Sequence, residues 1–581
     1  MHIMLQKKLS LAVVLLIVAG IMFLFLTPDR GGASSIEKQP SSLDGIDKME
    51  ALKLGERMYR EGILLSGKPM QAIVQGDIPV EGTMFACVSC HLRSGKGSLE
   101  GWILTFPVDG QTLYKPLSYA GKLTKLTQES FPYWVKKGYY RPAYTDESLA
   151  VAIRGGIDPN GRILNYAMPR YPLEDLDMDI LILYLKGLSA GPVPGITDTT
   201  MNLATVITDD VSQQDREAML APLDLFIKTW GKTRRLEGRS RRAAGRGDLD
   251  EETTTGFKKL VLQQWELKGP AATWRTQLEE YYRKDPVFAL VGGISNLDWA
   301  PVHDFCEQNR IPCLFPITDF PVVSDRDWYT LYFSKGFYQE GEAAAKYLNG
   351  MADLPTDAQV VQVLRGEDRR SLAISKGFLD TWRGLNRPEP GAIILNDKEA
   401  VDSKFWAWLS EKYKNAVKLL WLDPKDISSL GASEIHSQSQ KMIFLSSGML
   451  GNAIYSVPER LRSSIFITYP YRLPEEYHPY EGAINTWLRN NKITPRNFAV
   501  EARVYYLISA LSRGLSMLQF SYNRERLLEQ QDMMIDDVTA ATYPRLSFGP
   551  GQRYASKGCY IVQISEGPAP VLIDKSGWVI P

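Results

Sequence analysis

The chain has 581 residues, with 67 basic and 67 acidic side chains and a formal net charge of zero. That balance argues against a nucleic-acid binder, and a 44% hydrophobic content is enough for more than one packed core.

In chain order, the first feature is the nearly unbroken apolar run Leu9 to Leu26 behind Lys7 and Lys8. No small-x-small cleavage site follows it, so an uncleaved anchor is favoured over a signal peptide, with the lysines on the cytoplasmic side. Residues 1–28 are therefore expected to be a signal anchor in the inner membrane and 29–45 a linker, with the rest of the chain periplasmic.

The segment Cys87-Val88-Ser89-Cys90-His91 is CxxCH. Two thiols at this spacing can form thioethers to the two vinyl groups of one haem, and the adjacent His then lies under the iron. Zinc would need a second ligand pair, and a disulfide shuttle would sit at a helix start after a strand; the sequence has neither context. One covalent haem c on Cys87 and Cys90 with His91 as metal ligand is expected.

The sixth iron position separates closed electron carriers from open gas-binding sites. No other histidine falls near the motif, whereas Met168 stands in a Gly/Pro-rich loop ahead of a helix with apolar residues at Leu173, Leu176, Ile180, Leu183, Tyr184 and Leu188. Met168 is the expected second ligand. Residues 46–190 resemble a class I monohaem cytochrome c, on GERMYREGILLSG as first helix, FACVSCHLRSGKG as attachment loop, AMPRY as Met loop and DILILYLKGL as closing helix. The resemblance implies an all-α domain, electron exchange with a redox partner protein, and a proline carbonyl fixing the proximal His. Pro107 is the nearest candidate for that carbonyl.

A Pro/Gly-rich stretch, 191–200, separates this unit from residues 201–581. The basic run Arg234 to Arg246, followed at once by DLDEE, reads as a solvated loop, with a docking patch for an acidic redox partner as the alternative. Beyond the linker, short apolar runs alternate with amphipathic stretches. The expected strands are 203–208, 259–265, 287–294, 313–318, 360–365, 417–422, 442–447 and 464–469. Helical patterns such as TWRTQLEEYYRK, GFYQEGEAAAKYLNGM and SKFWAWLSEKYKN lie between them, the signature of parallel α/β sheets.

This part resembles a type I periplasmic binding protein of the group serving amino-acid and amide ABC transporters. The residues that carry the likeness are 289–321, 329–348, 543–564 and 577–581. It implies a two-lobed α/β domain holding a small solute such as an amino acid or amide between its lobes. Ser295, ahead of a helix starting near Asp298, and Thr318, at the end of the next strand, fall where that family meets a carboxylate. The first strand departs from the family, because LATVITDDVSQQDREAML lacks the Gly/Ser-rich loop that lines the cleft. Cys306 and Cys313 either pair as a disulfide or stay as buried thiols.

No hydrolase motif and no dinucleotide loop is present. The expectation is an exported electron carrier coupled to a solute- or partner-binding module. The alternatives are a haem-bearing solute receptor or transport accessory, and an electron-accepting subunit beside a separate periplasmic dehydrogenase.

Overall fold

A computed structural model describes residues 45–100, 103–118, 139–243, 258–355, 357–432, 442–518, 521–533, 537, 540–549 and 551–581. The apolar run and nearly all of the following linker lie outside them. No helix among the described residues is long and apolar enough to cross a membrane.

The N-terminal unit is closed by two crossed helices. Helix α1, Lys48–Glu61, starts on Asp47, whose carboxylate accepts the Met49 N–H, and ends on Gly62 in the left-handed region. After the single-turn α2, Val88–His91, and α3, Asp146–Gly155, comes α4, Asp175–Gly187, which buries Met178, Ile180, Leu181, Tyr184 and Leu185. The α1–α4 crossing is tight at Gly55: a Cβ there would lie 2.5 Å from Tyr184 Cβ and 2.8 Å from the Ile180 carbonyl. The unit is not all-α as expected. Three antiparallel ladders are present, pairing Gln71–Val74 with Ile78–Glu81, Leu99–Glu100 with Ile103–Leu104, and Leu117–Ser118 with Tyr140–Arg141. Each is two to four residues per strand and staples the long loops between helices, giving backbone groups partners that a helix-poor segment would otherwise lack.

Beyond the linker two parallel sheets form. Lobe one carries β1 Thr200–Thr208, β2 Lys259–Leu267, β3 Ala289–Val291, β4 Cys313–Leu314 and β5 Thr330–Leu331 in the order β5-β4-β3-β1-β2, all parallel. Between β1 and β2 runs α5, Gln213–Ala243, whose backbone takes in the first ten residues of the basic run expected to be a loop. Lobe two begins with α6, Phe337–Gly350, and carries β6 Val360–Arg365, β7 Gly391–Leu395, β8 Val417–Trp421, β9 Met442–Ser446, β10 Ile465–Tyr469, β11 Cys559–Ile564 and β12 Leu572–Val579. Its order is β7-β6-β8-β9-β10-β11-β12; the first five strands run parallel, and β11 and β12 close the edge antiparallel. Central strands such as β8 and β9 are buried along their whole length because helices cover both faces.

The chain crosses between lobes three times. The first crossing, after β5, turns at Gly336, where φ is +57° and a Cβ would stand 2.2 Å from the Asp319 carbonyl, so only glycine fits. The second follows β10 and returns to lobe one, where α7, Phe498–Met517, packs beside α5, and α8, Arg524–Asp532, beside α7. The third passes Tyr554, which bridges to Tyr332, and enters β11. The two-lobed α/β architecture expected for this part is present.

Candidate functional site

The CxxCH segment forms α2 with Cys87 at its N-cap, which puts Cys87 and Cys90 three residues apart on one turn. His91 is half-buried, and its Nδ1 donates to the Phe106 carbonyl at 2.9 Å. A carbonyl partner puts the proton on Nδ1, so Nε2 is the nitrogen left with a lone pair. Burial pulls the imidazole down to about 4 against that bond, so the ring is neutral near pH 7. The carbonyl belongs to Phe106, one residue before the expected Pro107: a proline there fixes the preceding residue's backbone and presents its carbonyl instead. Around the turn, Tyr59 donates to the Leu92 carbonyl at 2.7 Å and Ser98 to the Cys90 carbonyl at 3.2 Å.

Met168 is half-buried on a loop whose backbone is pinned at several points. Its N–H donates to the Asn165 carbonyl at 3.0 Å, and Arg170 caps the Met168 and Leu164 carbonyls while exchanging backbone bonds with Ile73. Tyr171, three residues on, donates to the Phe85 carbonyl at 2.5 Å and lies in the electrostatic field of both Cys87 and Cys90. The Met loop therefore abuts the attachment segment. Exposed apolar side chains gather on these same segments: Met84, Phe85, Ile157, Ile163 and Tyr166. Among the described residues, ten of the nineteen large exposed hydrophobics fall between residues 49 and 166, about a fifth of the chain.

Sequence reasoning missed how the attachment loop meets lobe one. Ser94 donates from its N–H at 2.7 Å and from its hydroxyl at 2.6 Å to the two oxygens of Glu529 on α8. Arg526 donates to the Gly97 carbonyl at 3.3 Å, Arg310 pairs with Glu56 at 2.8 Å, and Asn523 donates to Ser189 at 2.9 Å. Arg93 and Arg553 each lie over the Trp328 ring, at 4.0 and 3.9 Å, and Arg553 pairs with Asp532 at 2.9 Å. Burial raises the Glu529 carboxyl and pushes Asp532 up to about 6, against their hydrogen bonds and arginines.

Between the lobes, Ser295 is buried and its hydroxyl accepts the Leu297 N–H at 3.0 Å, while the Thr318 hydroxyl accepts the Phe320 N–H at 3.1 Å. Both side chains serve their own turns. The expected helix runs Ala300–Asn309 and is preceded by Asp298, which faces Arg369 of lobe two at 3.8 Å. After β1, where the Gly/Ser-rich loop is lacking, Asp209 and Asp210 accept the Gly269 and Asn296 N–H groups. In lobe two, buried Glu340 accepts from Thr468 at 2.6 Å and from the Gly448 N–H at 3.2 Å. Cys306 and Cys313 are fully buried, unbridged thiols that hydrogen-bond one another. Cavities of about 330 Å³, beside Tyr455, Leu473 and Leu572, and 230 Å³, beside Trp230, Trp487 and Tyr505, lie away from these residues.

No family model and no curated protein matches the sequence. Among solved structures, the chain is similar to a fatty acid ABC transporter substrate-binding protein from Thermomonospora curvata, at 16% identity over 67% of this chain and 95% of that one, with a TM-score of 0.39. It is likewise similar to a leucine-binding protein from Thermotoga maritima, at 12% identity over 66% and 99% with a TM-score of 0.41. A type 1 periplasmic binding protein from Bordetella pertussis gives 12% over 65% and 100%, with a TM-score of 0.43.

Proposed function

We propose that this chain is an exported c-type cytochrome built onto a two-lobed solute-binding module. The observation that carries the reading is the His91 ring: its Nδ1 is held by a backbone carbonyl, its Nε2 is left as the coordinating nitrogen, and two cysteines stand on the same turn. Cys87 and Cys90 would hold a haem c covalently, and His91 and Met168 would ligate its iron. Bound there, the group would supply one-electron storage. The protein's own residues orient the imidazole through Phe106, fix the Met loop through Arg170 and Tyr171, and present apolar side chains for a haem edge and a redox partner.

Expressed with a haem-attachment system, the protein should keep its haem absorbance on a denaturing gel, and Cys87→Ser with Cys90→Ser should lose it. A wild-type protein whose haem washes out under denaturation refutes the reading.

A second reading, a haem-bearing solute receptor, is favoured by the bond from Ser94 to Glu529, which ties the attachment loop to lobe one. A haem potential that shifts when solute is added supports it; one indifferent to a solute that demonstrably binds removes it.

A further inference from the structure

The bond that aims the His91 ring ends on the Phe106 carbonyl, so whatever fixes that peptide fixes the imidazole. Most of its restraints come from the attachment loop itself. The Thr105 N–H donates to the Ser98 carbonyl at 2.9 Å and the Val108 N–H to the Gly95 carbonyl at 2.7 Å, one on each side of Phe106. Gly97, at φ +72°, backs against the same stretch: a Cβ there would stand 2.1 Å from the Thr105 carbonyl oxygen and 3.0 Å from the Phe106 carbonyl carbon. One restraint has another origin. The Phe106 ring is stacked on Tyr139, with centroids 4.5 Å apart and planes 22° from parallel, and the Arg162 guanidinium lies over the Tyr139 ring at 4.5 Å.

Arg162 is itself rigidly held. Buried Asp158 accepts the Asn160 and Arg162 N–H groups at 2.8 and 2.9 Å on one oxygen and the Arg162 Nε–H at 2.9 Å on the other. Arg162 also donates to the Tyr140 carbonyl at 2.6 Å, beside the Asn160 side chain at 2.9 Å, so this loop and the segment that begins with Tyr139 part only by breaking both bonds. The same loop runs on toward Met168. The Leu164 N–H donates to the Gly156 carbonyl at 2.8 Å, and Arg170 holds the Leu164 carbonyl at 2.9 Å together with that of Met168. A guanidinium laid flat on a ring fixes the plane of that ring, and buried Tyr139 passes the constraint to Phe106. The carbonyl under His91 is thus braced from the loop that carries Met168 as well as from its own.

We propose that Tyr139 and Arg162 are positioning residues for His91: their stack holds the Phe106 carbonyl in line with the Nδ1–H and ties that bond to the loop that carries Met168. This rests on reading His91 as a haem ligand. A firm bond from Nδ1–H to a carbonyl makes the imidazole a more basic ligand, which favours ferric iron, so loosening the carbonyl moves the balance toward ferrous.

Redox titration of the full-length holoprotein tests it. Tyr139→Leu should move the ferric–ferrous equilibrium about three- to tenfold toward ferrous, tenfold being about 59 mV in midpoint potential, while the near-infrared band of a Met-ligated ferric haem persists. Tyr139→Phe keeps the stacked ring and should keep the wild-type potential. Arg162→Gln should shift the equilibrium the same way by less, and it decides the matter should the Leu variant not fold. A folded Leu variant at the wild-type potential overturns the assignment, as does a Phe variant shifted as far as Leu. A shift toward ferric with loss of the near-infrared band also overturns it, because the stack would then serve Met168 and not His91. In each of these outcomes the haem stays covalently bound on a denaturing gel, so the haem reading stands. Should the wild type carry no covalent haem, 15N-histidine spectra of the full chain decide: a single Nδ1–H tautomer at His91 that becomes a mixture in Tyr139→Leu upholds the positioning role, and a tautomer unchanged by the substitution ends it.

Discussion

Glu340 gives the sharpest quantitative prediction. It is fully buried on α6, and burial pushes its carboxyl up to about 7 from an ordinary 4.5, against hydrogen bonds from Thr468, Ser446 and Gly448. A folded value above the unfolded one means that the folded protein holds this proton more tightly. The stabilisation is therefore full below about pH 4.5, declines as pH rises, and is gone above about 7. The difference corresponds to about 3 kcal/mol. Glu340→Gln removes the ionisation and keeps the bonding: the amide oxygen can accept the Gly448 N–H, and the amide N–H can donate to Thr468, whose own proton is then available to the Leu445 carbonyl 3.3 Å away. Urea unfolding followed by tryptophan fluorescence at pH 4.5, 6 and 8.5 should show the variant gaining on the wild type with rising pH, to about 3 kcal/mol at pH 8.5. A difference independent of pH, or a variant less stable than wild type at pH 8.5, refutes the reasoning.

Gly55→Val should destabilise the N-terminal unit by about 1–3 kcal/mol, seen as a lower melting temperature of that unit, because its Cβ would collide with Tyr184 and the Ile180 carbonyl. Ser94→Ala takes one of two donors from a buried carboxylate and should cost about 1–3 kcal/mol, with faster proteolysis of the linker at 191–199 as a second readout. Met168→Ala should abolish the near-infrared band of a Met-ligated ferric haem and open the iron to carbon monoxide; a retained band means another ligand.

Much of the fold was readable because strands buried on both faces leave continuous apolar runs. VVQVLR at 360–365 is strand from end to end, and MIFLSS lost only its last residue to the next helix. Gly391–Leu395 went unseen: it lies at the sheet edge, half exposed, with a glycine at its head, and carries no buried stripe. The two shortest ladders of the N-terminal unit were equally silent, since pairs two residues long have no period to detect. The CxxCH spacing carries its own expectation because covalent chemistry would dictate it, while the His91 acceptor is a backbone carbonyl that any residue could offer. The contact between Ser94 and Glu529 spans 435 residues, so it had no local signal.

The bonds from Ser94, Gly97, Glu56 and Ser189 all end on lobe one, on α8, on Arg310 or on Asn523 just ahead of α8. The N-terminal unit is thus tied to that lobe. Any change in the angle between the lobes would therefore move lobe two, not lobe one, relative to the Cys87–His91 turn. A ligand that set the angle between the lobes would then be felt at that turn as a change in what stands opposite it.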